Sequence, residues 1–102
     1  MVQPQRRLLP RIEVAVPVQV RQDGNRYTCK SVNISQQGML FVTDVLPLSV
    51  GEQVQLQLAM PHEISGQPEI EYIYFARVVH VRSVDSEPKY AVGVRFLWYE
   101  DP

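Results

Sequence analysis

The sequence predicts an all-β domain of about six short antiparallel strands, closed as a barrel or stacked as a sandwich. Three observations carry this. Apolar residues recur at alternate positions in successive segments. Those segments are bounded by Gly, Pro, Asn and Asp turn residues. No segment holds helical periodicity over a useful length.

Residues 1–10 show no apolar periodicity and contain Pro4 and Pro10, so residues 1–11 read as a flexible N-terminal arm and 12–102 as the folded domain. From Ile12 the pattern changes. Ile12, Val14, Val16, Val18 and Val20 alternate with Glu13, Ala15, Pro17 and Gln19, which predicts one strand with one buried face. Pro17 cannot donate to a ladder and marks an edge or a bulge. Gln22-Asp23-Gly24-Asn25 reads as a hairpin turn, because Asp-Gly takes positive φ at low cost.

Arg26 to Ser35 is the returning strand, with the β-formers Tyr27, Thr28, Val32 and Ile34. Met39–Thr43 follows, then an alternating Gln53–Met60 with Val54, Leu56, Leu58 and Met60 on one face. Pro61–Pro68 reads as a loop. Tyr72–Arg82 has aromatic and branched residues on both faces, which predicts burial on both sides for part of its length. After a turn at Ser83–Pro88, Lys89–Leu97 is the last strand.

The chain has 102 residues, the size of one domain. No apolar run approaches the roughly 18 residues of a membrane span, so no membrane insertion is expected. The N-terminus lacks the apolar stretch of a secretory signal. The single cysteine, Cys29, excludes an internal disulfide and a cysteine-based zinc site, and a reducing cytoplasmic location is expected. Net charge is −1, which argues against a general DNA or RNA binder. Its distribution is uneven: the first thirty residues sum to +4 and the remainder to −5.

The basic end coincides with Arg7-Leu8-Leu9-Pro10-Arg11, an Arg-x-x-x-Arg motif preceded by Arg6. A guanidinium fork offers two parallel donors that match phosphate oxygens or the O6/N7 edge of guanine, and its flat face stacks on bases. Pro10 pushes Leu9 away from the α region, so the motif is extended or turning rather than helical. Ordering five free backbone residues costs on the order of 5–10 kcal/mol. A micromolar complex yields only about 8 kcal/mol, so the arm must be partly organised beforehand.

A second motif, Asn33-Ile34-Ser35-Gln36-Gln37-Gly38, has the form Asn-x-Ser-x-x-Gly. Asn33 and Ser35 leave one face of a strand end. An amide presents donor and acceptor to a base edge, and a hydroxyl bonds a phosphate oxygen. Gly38 lets a ligand approach the backbone. Each motif also has a plain reading, a solvated basic tail and an ordinary β-turn.

The ordered pair, Arg-x-x-x-Arg before the first strand and Asn-x-Ser-x-x-Gly after the second, resembles the signature of PilZ domains, bacterial six-stranded barrels that bind cyclic di-GMP. The resemblance runs from Arg6 to Phe96 and includes the Gly93-Val94-Arg95-Phe96 ending. It implies an all-β fold, a six-stranded antiparallel β-barrel with a flexible N-terminal arm. It also implies that Arg7 and Arg11 grip phosphates and guanine edges, that Asn33 contacts a guanine, that Ser35 contacts a phosphate, and that Gly38 admits the ligand. Arg6 is an additional arginine, an arrangement that in the family favours a stacked pair of ligands.

Nothing points to an enzyme. His62 and His80 are isolated, Cys29 reads as a small buried or half-buried residue, and Asp44, Glu63, Glu69 and Glu71 form no acid–base pair. Ser35 lies in no nucleophile elbow. No metal or other cofactor is expected beside the ligand. Trp98 and Tyr99 are expected to cap the barrel rather than form a partner surface.

The function implied is a cyclic di-GMP receptor whose arm and surface change on binding and so regulate a downstream effector protein. The alternatives are a nucleotide-independent adaptor of the same fold in pilus or motility machinery, and a single-stranded nucleic-acid binder.

Overall fold

A computed structural model describes residues 11–44, 48–84 and 89–102. In chain order the elements are β1 (Arg11–Ile12), β2 (Pro17–Gln22), β3 (Asn25–Ser35), β4 (Gly38–Thr43), β5 (Gln53–Ala59), α1 (His62–Ser65), β6 (Glu71–Val84) and β7 (Lys89–Glu100). Every strand pairing is antiparallel, in the order β1-β3-β2-β5-β6-β7-β4. A further β3–β4 pairing closes β2 to β7 into a six-stranded barrel. β1 is an extra strand laid against the end of β3, with Arg11 opposite Ser35 and Ile12 opposite Ile34.

The core is the inward-facing set that alternation picks out. Val18, Val20, Ile34, Phe41, Leu56, Leu58, Val78 and Val92 are fully buried. Closure removes sheet edges, which otherwise offer unpaired backbone to other chains. The β2–β3 hairpin has Gln22 opposite Asn25, and Asp23 and Gly24 take φ of 50° and 82°, as its Asp-Gly sequence requires.

Three expectations need correction. Ile12–Val20 is not one strand: pairing stops after Ile12 and resumes at Pro17. On one edge β3 pairs with β2 as far as Lys30 and with β1 at Ile34 and Ser35, while β4 takes the other edge from Lys30 onward. The Ser31 side chain fills the gap. Its hydroxyl accepts from the Val16 N–H at 2.8 Å and donates to the Val14 carbonyl, while the Ser31 N–H donates to the Val16 carbonyl at 3.0 Å. Alternation survives the break because Val14 and Val16 still pack on the core.

The 61–68 loop contains one helical turn, α1, ended by Gly66 at φ 71° with its N–H on the His62 carbonyl at 2.8 Å. Four residues are too few for periodicity to reveal. Trp98 and Tyr99 do not cap the barrel. They continue β7 and stand 45 % and 60 % exposed, Trp98 stacked on Phe75 at 4.7 Å between centroids and Tyr99 edge-on to Tyr72 at 5.0 Å. The Phe75–Trp98 stack partly covers the outer face of β6, where the sequence suggested two-sided burial.

Candidate ligand-binding groove

The second motif spans the end of β3, the turn and the start of β4. Ile34 points into the core, so Asn33 and Ser35 are on the outer face, as their spacing requires. Ser35 is nonetheless buried, at 7 % exposure. Its hydroxyl accepts the Gln37 N–H at 3.2 Å and reaches the Gly38 carbonyl at 3.4 Å, a long contact. The turn is tied down from both sides. The Gln36 amide donates to the Ile64 carbonyl at 2.9 Å, and the Phe96 N–H donates to the Gln37 carbonyl at 2.7 Å.

Gly38 has a packing reason of its own. A Cβ there would lie 2.1 Å from the Val94 carbonyl oxygen, because β7 runs directly against it. Glycine thus permits the close approach of β4 and β7 that closes this side of the barrel.

Arg11, Asn33, Ser35 and Gly38 line one groove of about 340 Å³ on the outer wall. β1 is what brings the arginine there, by pairing Arg11 with Ser35. Arg6 and Arg7 lie outside the described residues. The groove is also lined by Gln37, Val79, His80, Gly93 and Arg95, which the motifs did not indicate. One signal was legible: glycine inside a strand, such as Gly93, often marks a bulge or a close approach.

Electrostatically the groove is one-sided. Its described lining holds Arg11, Arg95 and His80 and no carboxylate. Such a lining suits an anion. The opposite side of the same turn is different in character. Gln36 there borders a second, wider depression with Ile70, Tyr72, Leu97, Trp98 and Tyr99. The segments that build it carry Glu63, Glu69, Glu71, Glu100 and Asp101 and no lysine or arginine between residues 53 and 76 or beyond 95.

Cys29 and Tyr27 face the interior from β3, and burial pushes each up to about 12. Burial thus disfavours the Cys29 thiolate, the reactive form of the side chain. Among the described residues no three His, Cys, Asp or Glu side chains gather to hold a metal, and no helix is long and apolar enough to cross a membrane.

The chain is thus a closed antiparallel barrel with a polar groove, lined by two arginines, beside the Asn-x-Ser-x-x-Gly turn. The family model described as PilZ domain matches residues 5–101, and the chain belongs to that family. The Bacillus subtilis inhibitor of motility MotI/DgrA superposes with a TM-score of 0.73 at 22 % identity, over 95 % of this chain and 44 % of that one. This chain therefore spans less than half the length of that relative. The PilZ domain of Escherichia coli YcgR, solved with c-di-GMP, superposes with a TM-score of 0.64 at 18 % identity, over 91 % of this chain and 79 % of that one. At these identities the likeness is one of fold. No curated protein matches the sequence.

Proposed function

We propose that this protein is a cytoplasmic cyclic di-GMP receptor that passes ligand occupancy to a partner protein. The observation that carries the reading is the meeting of the two motifs. Arg11 from the first, and Asn33, Ser35 and Gly38 from the second, line a single groove without a carboxylate among its described residues. Family membership and the ligand named with the YcgR domain support it.

In this reading Asn33 takes a guanine edge, Ser35 a phosphate oxygen, and Arg11 forks onto phosphate or the guanine O6/N7 edge. Arg7 and Arg6 close over the ligand from the arm, Arg6 against a second guanine, so that two ligands bind per protomer. The platform is built on strands and a pinned turn, and the arm supplies the change that binding produces. The 36–37 turn is the shared wall of the groove and of the aromatic surface, which gives occupancy a short route to a partner.

The test is calorimetric titration of cyclic di-GMP at moderate salt into wild type, Arg7→Ala, Arg11→Ala and Ser35→Ala. Wild type is expected to bind two ligands, and each variant to bind at least tenfold more weakly while remaining folded. No heat with wild type defeats the receptor reading. A ratio of one ligand per protomer removes the stacked pair. Loss of folding in Ser35→Ala makes the motif a turn device only.

A nucleotide-independent adaptor is the second reading. Leu97, Trp98 and Tyr99, exposed in a row on β7, are the observation that favours it. Partner capture unaffected by saturating nucleotide decides for it.

A further inference from the structure

The wider depression on the other side of the 36–37 turn exists because β7 outruns its neighbour. β4 reaches β7 only as far as Gly38 opposite Arg95, and the last bond on that edge is the Phe96 N–H donating to the Gln37 carbonyl at 2.7 Å. β7 continues to Glu100, paired with β6 alone. Among the described residues no strand pairs with Leu97–Glu100 on the other edge. At about 3.3 Å per residue, the open edge is roughly 13 Å long. Such an edge presents unpaired backbone N–H and C=O groups to any chain that can reach it.

A bulge gives this edge its side chains. Ala76 opposes Phe96 and Phe75 opposes Trp98, leaving Leu97 as an extra residue on β7. Phe96 packs on the core, and in a regular strand Trp98, two residues on, would follow it inward. The insertion instead sets Trp98 against Phe75 on the outer face, with Leu97, Trp98 and Tyr99 all exposed. Ile70 is exposed too, and all four line one depression of about 570 Å³. Adjoining exposed apolar side chains with a polar rim mark an interaction surface.

The surrounding charge selects the occupant. Glu63 on α1, Glu69 and Glu71 at the entry to β6, and Glu100 and Asp101 at the end of β7 are all exposed. No lysine or arginine lies between residues 53 and 76 or beyond 95. Glu100 is tied to the patch itself, because its carboxylate accepts the Trp98 indole N–H at 3.2 Å. A second copy of this chain, paired edge to edge about a two-fold axis, would set one acidic surface against another. We propose that the open edge of β7 and its aromatic depression dock an extended basic segment of a partner protein. The segment adds to the barrel wall as a strand beside Leu97–Glu100, its apolar side chains entering the depression and its lysines or arginines meeting the carboxylates. Main-chain bonds supply the affinity of such strand addition, and side-chain contacts supply its specificity. The inference rests on the reading that this protein acts on a partner, which its receptor and adaptor forms share, and assigns that partner's chemistry.

The probe is a synthetic peptide alternating lysine with valine, titrated into the full chain without nucleotide and followed by the fluorescence of Trp98, the single tryptophan. Two control peptides alternate glutamate with valine and lysine with serine. The lysine–valine peptide is expected to bind at least about tenfold more tightly than either, and more weakly as salt is raised. Glu100→Lys combined with Asp101→Lys removes the preference for the basic peptide. Hydrogen exchange followed by NMR locates the strand, with amides within Leu97–Glu100 slowed on saturation. If the acidic peptide binds as well as the basic one, or no amide there is slowed, the inference is overturned. Should the double variant unfold, the salt dependence and the exchange pattern of wild type decide. Sedimentation showing the chain alone as a dimer that Leu97→Asp dissolves makes a second copy the occupant and also overturns it. A protein that takes the peptide and no cyclic di-GMP keeps this inference and loses the receptor reading. One that takes the nucleotide and no peptide does the reverse.

Discussion

Replacing Gly38 by alanine tests why the second motif ends in glycine. The added carbon would lie 2.1 Å from the Val94 carbonyl oxygen, 3.1 Å from its carbonyl carbon and 3.2 Å from the Arg95 Cα. All three atoms are β7 backbone, so no side chain can swing aside. Ordinary contact begins near 3.4 Å, so the two strands must part by about 1.3 Å here. Overpacking of this kind costs about 1–3 kcal/mol. Weakening one ladder hydrogen bond where Gly38 opposes Arg95 adds about 0.5–1.5 kcal/mol. A total of roughly 2–4 kcal/mol is a large share of the 5–15 kcal/mol that holds a typical domain together. Urea unfolding, followed by far-UV circular dichroism and by the fluorescence of the single tryptophan, Trp98, reads it out. With an m-value of about 1–3 kcal/mol per molar, the midpoint falls by on the order of 1–2 M. A Gly38→Ala protein with an unchanged midpoint and weakened ligand binding would refute the packing argument and leave glycine there for the ligand alone.

Three further outcomes follow from buried polar groups on β3 and β6. Ser31→Ala leaves the Val16 N–H without its hydroxyl acceptor at the break between β1 and β2. A loss of about 1–3 kcal/mol in urea unfolding is expected, and a change under 0.5 kcal/mol would show that water replaces the hydroxyl. Cys29, pushed up to about 12 by burial, is expected to react with a disulfide reagent at pH 8 much more slowly in the native protein than in urea. The same shift has a stability consequence. The raised thiol favours the protonated fold, so its stabilisation is complete below the unfolded thiol's ordinary range near 9 and is lost as pH climbs toward 12. Tyr27 and Tyr74, each pushed from 10.0 up to about 12 chiefly by burial, steepen the loss above pH 10. Stability rising between pH 9 and 11 would contradict this.

Much of the barrel is written locally. Period-two patterns place Val18 and Val20, then Val54, Leu56 and Leu58, then Val92 and Val94 in the core, because alternation in a strand is a property of the backbone. Asp23-Gly24 makes its hairpin for an equally local reason, positive φ. The polar character of the site was legible too, since forked cations, an amide and a hydroxyl keep their chemistry whatever the fold. What single-strand patterns cannot show is which strands adjoin. The break at 13–16 falls opposite Ser31, whose backbone and hydroxyl bond Val14 and Val16 from the neighbouring strand, a relation between segments some fifteen residues apart. The exposure of Trp98 and Tyr99 follows from β7 running past β4, which ends its pairing at Arg95.

The sequence by itself therefore determined the strands, the inward-facing residues and the two motifs, because each depends on neighbours along the chain. Only the tertiary structure decided that Arg11 meets Asn33, Ser35 and Gly38, because pairing of β1 with β3 is a contact across more than twenty residues. It alone also set Trp98 opposite Phe75 and turned it outward. Register and a bulge are relations between strands, and no single segment contains them.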